Sequence, residues 1–297
     1  MGRDLAAAHR TARDVFEEVD EALKQRLFRL MTEGPALELE LTENAQPALM
    51  AMSLAIMAVL QKDAGLNLEK SAMFVAGHSL GEYSALTAAR SFSIAAVARL
   101  LKTRGRAMQQ AVPVGEGAMA ALLGADPDQA RALAAAAAEG EVCSPANDNA
   151  PGQVVISGAR AAIERAMALA KDKGIRKAVL LPVSAPFHCA MMQPAADAMA
   201  EALSTADLRR PIVPLIANVT AEPVEDPETV RKLLVEQVTA PVRWRESVLA
   251  MKAGGVTRLV EIGAGRVLTG LAKRIDRELE AIAVGTPAEI EAFVKTI

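Results

Sequence analysis

The chain has 297 residues, 52% of them hydrophobic and 23% charged, with a formal net charge of −3. That length suits one large domain or two modest ones, and the composition is that of a globular protein rather than a disordered one. The negative balance argues against a nucleic-acid binder relying on bulk charge, while leaving room for a local basic patch that faces an acidic partner. Aromatic residues make up only 3%, so the core is built from Ala, Leu, Val, Ile and thirteen Met.

Cys143 and Cys189, the only cysteines, give neither a disulfide framework nor a zinc spacing, which fits a reducing cytoplasm. Met1 to Leu5 lacks the apolar core of a signal peptide. The longest apolar run, Ala48 to Leu60, is short for a bilayer and reads as a buried helix. A soluble cytoplasmic protein is expected, with no membrane or nucleic-acid partner.

In chain order, residues 3–31 are charged and periodic and read as two surface helices. Thr42 to Pro47 reads as a turn, with Pro47 at the first helical position of the buried helix. Met73 to Ala76 is a short strand, followed by Gly77-His78-Ser79-Leu80-Gly81 and then by helices to about residue 111. From Gly115 the pattern changes. Ala118 to Leu123 reads as a strand, and Asp126 to Ala138 as a helix capped by Asp126 with Pro127 in its first turn. Ser144 to Asn147 and Gln153 to Ser157 read as paired strands, Ala161 to Lys171 as a helix, and Lys177 to Val183 as a strand. The order β-α-β-β-α-β is ferredoxin-like. It predicts a small subdomain, 115–184, inserted into a larger unit formed by 1–114 and 185–297. In that larger unit Ile212 to Ala217 and Arg258 to Ile262 read as strands, and Thr229 to Val238 and Val267 to Arg274 as helices. Strands alternating with helices predict an α/β fold with a mostly parallel sheet, α/β-hydrolase-like.

The Gly-x-Ser-x-Gly segment lies between a strand and a helix, the setting of a nucleophile elbow. A serine there stands at the sheet's open edge, with the free N–H groups of the next helix aimed at the same place. Its hydroxyl needs a base. Of three histidines, His9 falls on a polar helix and reads as a surface residue. His78 neighbours the serine, but adjacent side chains on an elbow diverge, so it reads as a packing residue. His188, in a Pro-containing loop after a strand, is the expected base. For a third, acidic member Asp226 and Glu261 are available, and neither context singles one out. Arg104 carries a fork that suits a carboxylate, although residue type alone reads it as a surface arginine.

Taken together, several segments resemble the malonyl-CoA:acyl carrier protein transacylases of bacterial fatty-acid synthesis, relatives of polyketide synthase acyltransferase domains. They are Gln46 to Leu49, Ala76 to Leu86, Arg104-Gly105 with Met108-Gln109, and Gly117 to Ala121. Further on come Asn149 to Gly158, Pro182 to Ser184, Pro241 to Trp244 and Glu261 to Gly265. The resemblance runs in order from about residue 2 to residue 285.

It implies a Ser79–His188 pair, with the main-chain carbonyl of Gln237 steadying the histidine in place of an acid. It also implies that the Leu80 N–H is one oxyanion donor and that Arg104 pairs with the free carboxylate of malonyl. Phe187 would mark the malonyl-selecting form of its loop, and Gln46 and Asn149 fall at substrate-binding positions. The partners implied are malonyl-CoA and acyl carrier protein, with no cofactor or metal and a monomeric enzyme. The family's first strand and its Gly-Gln-Gly-Ser-Gln loop, source of a second oxyanion donor, have no counterpart among these residues. Two competing readings follow: a serine hydrolase or thioesterase, or a scaffold that binds carrier or CoA with little turnover.

Overall fold

A computed structural model describes all 297 residues. The fold is α/β. Its large unit is built around the apolar helix Thr42–Ala58, which continues through one π-helical turn, Val59–Asp63. This helix is apolar on nearly all sides because it is surrounded: Met50, Ala51, Ala55, Ile56 and Leu60 are fully buried. It is long and apolar enough to cross a membrane, but 78% of its most apolar stretch is buried inside the fold. Helices Arg10–Leu23 and Ile94–Gln110 pack on it and Gln193–Ser204 packs on Ile94–Gln110, all in one core with Phe16, Leu27, Leu101, Met108 and Met199.

Two local expectations are corrected here. Residues 3–31 form three helices, Arg3–Ala8, Arg10–Leu23 and Leu27–Glu33, which bury Leu5, Val15, Phe16, Val19 and Leu27 rather than lying free on the surface. Pro47 sits inside a helix that already starts at Thr42, so Thr42 to Pro47 is not a turn. Tertiary bonds hold that extra turn in place. Asn44 Oδ1 accepts from Lys102 Nζ at 2.7 Å and Gln46 Oε1 from Arg104 Nη1 at 2.8 Å.

The inserted β-α-β-β-α-β pattern folds into a four-stranded antiparallel sheet of β1 (Gly117–Leu123), β2 (Cys143–Ala150), β3 (Gln153–Ala159) and β4 (Lys177–Leu180), in the order β2-β3-β1-β4. Helices Pro127–Ala138 and Arg160–Leu169 cover one face, against Ala118, Ala120, Leu122, Val154 and Ile156. On the other face Met119, Ala121, Ala146 and Val155 pack against Leu181, Val183 and Phe187. That explains why β1 is apolar at every position: both faces are covered. It also fixes the segment leading to His188, since Phe187 packs against the main core as well.

Elsewhere β5 (Leu215–Ile216) pairs antiparallel with β6 (Pro223–Val224), and β7 (Arg258–Ile262) parallel with β8 (Glu280–Val284). Val75 bridges Leu215 in parallel, and Asn147 bridges Val242 in parallel. The parallel pairings are not joined by any ladder into one continuous sheet. The 73–76 segment therefore contributes a single bridge before the chain turns at Gly77.

Candidate active site

Ser79 occupies the cap of helix Leu80–Ala88 with φ 53° and ψ −110°, a backbone conformation that costs about 1–3 kcal/mol for a non-glycine residue. Gly77 makes the turn feasible. A Cβ on it would lie 2.0 Å from both the carbonyl carbon and the oxygen of Gly81. Asn218, far along the chain, pins the strained turn. Its Oδ1 accepts from the Ser79 N–H at 2.7 Å and its Nδ2 donates to the Gly77 carbonyl at 2.8 Å. The Leu80 N–H opens the helix and has no acceptor within the chain, leaving a donor beside the serine.

The Ser79 hydroxyl lies 2.9 Å from His188 Nε2, and His188 Nδ1 lies 2.9 Å from the Gln237 main-chain oxygen. A carbonyl only accepts, so Nδ1 carries the proton and Nε2 presents its lone pair to the serine. Burial, then the nearby positive charge of Arg104, pushes the His188 pKa down to about 3. The ring is thus neutral and proton-accepting at physiological pH.

Arg104 is 1% exposed, on helix Ile94–Gln110. Gly105 lets that helix approach its neighbour: a Cβ there would stand 2.5 Å from Glu43 Cα. The guanidinium donates through Nη1 to Gln46 Oε1 at 2.8 Å, and through Nη2 to Gln237 Oε1 at 2.8 Å and to the Ser79 hydroxyl at 3.1 Å. Its Nε has no partner, and no carboxylate lies within ion-pair distance. It lies over the Tyr83 ring, 5.8 Å from the centroid. A buried cation held only by neutral acceptors is electrostatically incomplete, which suits it to receive an anion.

Of the residues singled out from sequence, Ser79, His188, Gln237, Arg104, Gln46 and Leu80 meet in this cluster. Phe187 adjoins it, half-buried between two cores. Asn149 Oδ1 instead accepts from His78 Nε2 at 2.8 Å. His78 packs 5.7 Å from the Trp244 ring, consistent with a packing residue. His9 is half-buried, 3.7 Å from Asp63, rather than fully solvated. Neither acid considered for a triad is present in the cluster. Asp226 caps helix Pro227–Glu236 through Thr229, and Glu261 accepts from the N–H groups of Leu268 and Thr269 at the start of helix Val267–Ile275. The Asp226-Pro227 pair is itself a capping signature. Sequence reading missed Asn218 and Glu82, the latter hydrogen-bonded to the Gln237 side chain.

A strained serine on an α/β elbow, a neutral histidine oriented by a carbonyl and a free helix-start donor define a serine acyl-transfer centre. The acyl transferase domain model matches residues 1–286, and the chain belongs to that family. It is 43% identical over 298 residues to the malonyl CoA-acyl carrier protein transacylase of Bacillus subtilis, covering 100% of this chain and 92% of that protein. The crystal structure of the acyl-carrier-protein S-malonyltransferase from Bartonella henselae superposes with a TM-score of 0.97 at 55% identity, covering 100% of this chain and 94% of that one. A malonyl-transacylase solved in complex with its type II polyketide acyl-carrier protein gives a TM-score of 0.96 at 41% identity, covering 100% of this chain and 95% of that one. The chain is an acyltransferase.

Proposed function

We propose that this acyltransferase moves a malonyl group from malonyl-CoA to the phosphopantetheine thiol of acyl carrier protein, in fatty-acid or polyketide synthesis, acting as a cytoplasmic monomer. The names of its relatives support the substrates. The observation that carries the reading is the buried Arg104, 3.1 Å from the Ser79 hydroxyl and without a carboxylate of its own.

The reaction follows a ping-pong course. Ser79 Oγ attacks the thioester carbon while His188 Nε2 takes its proton; the oxyanion collects at the Leu80 N–H. The C–S bond then breaks, and His188 returns the proton to the departing CoA thiol. In the second half the carrier thiol gives its proton to His188 and attacks the malonyl-serine carbon. The C–O bond breaks and Ser79 recovers its proton. The Gln237 carbonyl keeps His188 in the required tautomer through both halves.

In malonyl only one methylene separates the reacting carbonyl from the free carboxylate. An acyl group on Ser79 therefore folds its carboxylate back onto Arg104, which fixes the reacting carbon against drift and against water. Phe187 narrows the space for α-substituted acyl groups, and Gln46 holds the Arg104 fork from behind. Asn149, tied to His78, lines the approach for the substrate.

Parallel rates with malonyl-CoA and acetyl-CoA test this reading. Arg104→Ala is expected to lower malonyl transfer by about 100-fold or more, the size of a lost buried charge contact, and to leave acetyl transfer similar or improved. Equal losses on the two donors would remove the clamp.

A further inference from the structure

Glu82, in the first turn of the elbow helix, is 1% exposed and has no cationic side chain within ion-pair distance. A carboxylate buried that deeply is destabilising unless its oxygens are well used. One oxygen accepts from the Asn218 main-chain N–H at 3.4 Å and the other accepts from Gln237 Nε2. Burial raises its pKa to about 7, against the lowering pull of Gln237, Asn218 and Arg104.

The Gln237 side chain is the link to the reacting groups. At one end Nε2 faces three acceptors: Glu82, the Ser79 carbonyl at 3.0 Å and Asn218 Oδ1 at 3.5 Å. At the other end Oε1 accepts from Arg104. Turning the amide over would set its oxygen against the carboxylate and its NH2 against the guanidinium, so both ends would repel. Above about pH 7 Glu82 is ionised and supplies the only full charge at its end of this arrangement. The main-chain carbonyl of Gln237 meanwhile holds His188.

We infer that Glu82 is a positioning residue for malonyl selection: it locks the Gln237 amide, which in turn holds the Arg104 fork beside Ser79. It touches no substrate atom. The inference rests on the Arg104 clamp proposed above.

The test measures kcat/KM for malonyl-CoA and acetyl-CoA with the full chain and carrier protein at about pH 8, where the Glu82 carboxyl is mostly ionised. Glu82→Gln keeps the size but removes the charge that sets the amide. Its malonyl-to-acetyl ratio is expected to fall at least about tenfold, within the range of couplings between contacting residues. A purely structural role would lower both donors together. In the Arg104→Ala background, Glu82→Gln is expected to leave the ratio where Arg104→Ala alone puts it; a further tenfold fall would overturn the inference.

If Arg104→Ala itself costs both donors equally, the clamp fails. If Arg104→Ala is malonyl-selective and Glu82→Gln is not, only the Glu82 inference fails. Should a thermal melt show Glu82→Gln to be unfolded, Gln237→Leu carries the test, since it keeps the main-chain carbonyl and deletes the relay. An unchanged malonyl-to-acetyl ratio in that variant would overturn the inference.

Discussion

The Arg104 guanidinium stands 3.1 Å from the Ser79 hydroxyl, so the proposed carboxylate clamp and the proposed nucleophile are in direct contact. Gln46 and Gln237 hold two positions of the fork, so the proposed clamp meets a carboxylate with its guanidinium already oriented. Little side-chain entropy remains to be lost at that moment.

Asn218→Ala removes the acceptor of the Ser79 N–H and the donor to the Gly77 carbonyl, inside the fold. We expect a loss of about 1–3 kcal/mol in stability, typical of unpaired buried groups. The strained serine is then free to relax away from His188, and kcat for malonyl transfer should fall by about tenfold or more. Denaturant titration and steady-state rates check both; an unaltered kcat would show that the turn holds without this residue.

The two glycines of the elbow motif differ in what surrounds them. Gly77→Ala drives a Cβ into the Gly81 backbone at 2.0 Å, whereas a Cβ on Gly81 meets nothing within 4 Å. Gly77→Ala should therefore destabilise by about 3 kcal/mol or more, as overpacking against backbone does, and abolish transfer. Gly81→Ala should stay within about 1 kcal/mol of the parent. Urea unfolding of the pair decides it, and equal effects would contradict the geometry.

His188 makes stability depend on pH in a definite direction. Its folded pKa, about 3, lies below the ordinary 6.5, so between those values the unfolded chain binds a proton that the native chain does not. Unfolding free energy therefore falls as pH drops through this window, by at most about 1.4 kcal/mol per pH unit for one such group. His188→Gln lacks the group, so its stability should fall less between about pH 7 and about pH 4.5. Denaturation of both proteins at the two pH values checks the sign. Glu82, whose raised pKa acts in the opposite sense, is common to both.

Much of this site is legible in the sequence because elbow chemistry is local: two glycines, a serine and a helix start lie within five residues. The ferredoxin-like unit is legible for a similar reason, since Asp126-Pro127 and Pro151-Gly152 punctuate regular periodicity. Asn218 and Glu82 are not. Asn218 lies 139 residues from the backbone it pins, and Glu82 resembles any helix-start acid until its burial is known. Pro47 misleads because its rule describes isolated helix ends, whereas Lys102 and Arg104 hold an additional turn in front of it. Arg104 itself is reached through family resemblance; residue type alone favours a surface position.

Intact mass measurement of the protein mixed with malonyl-CoA, before and after adding acyl carrier protein, tests the central claim most directly. The expected result is a gain of one malonyl group, mapped to Ser79, absent in Ser79→Ala, and passed to the carrier thiol when carrier is added. No adduct on Ser79, or an adduct released as free malonate while the carrier stays unloaded, would contradict it.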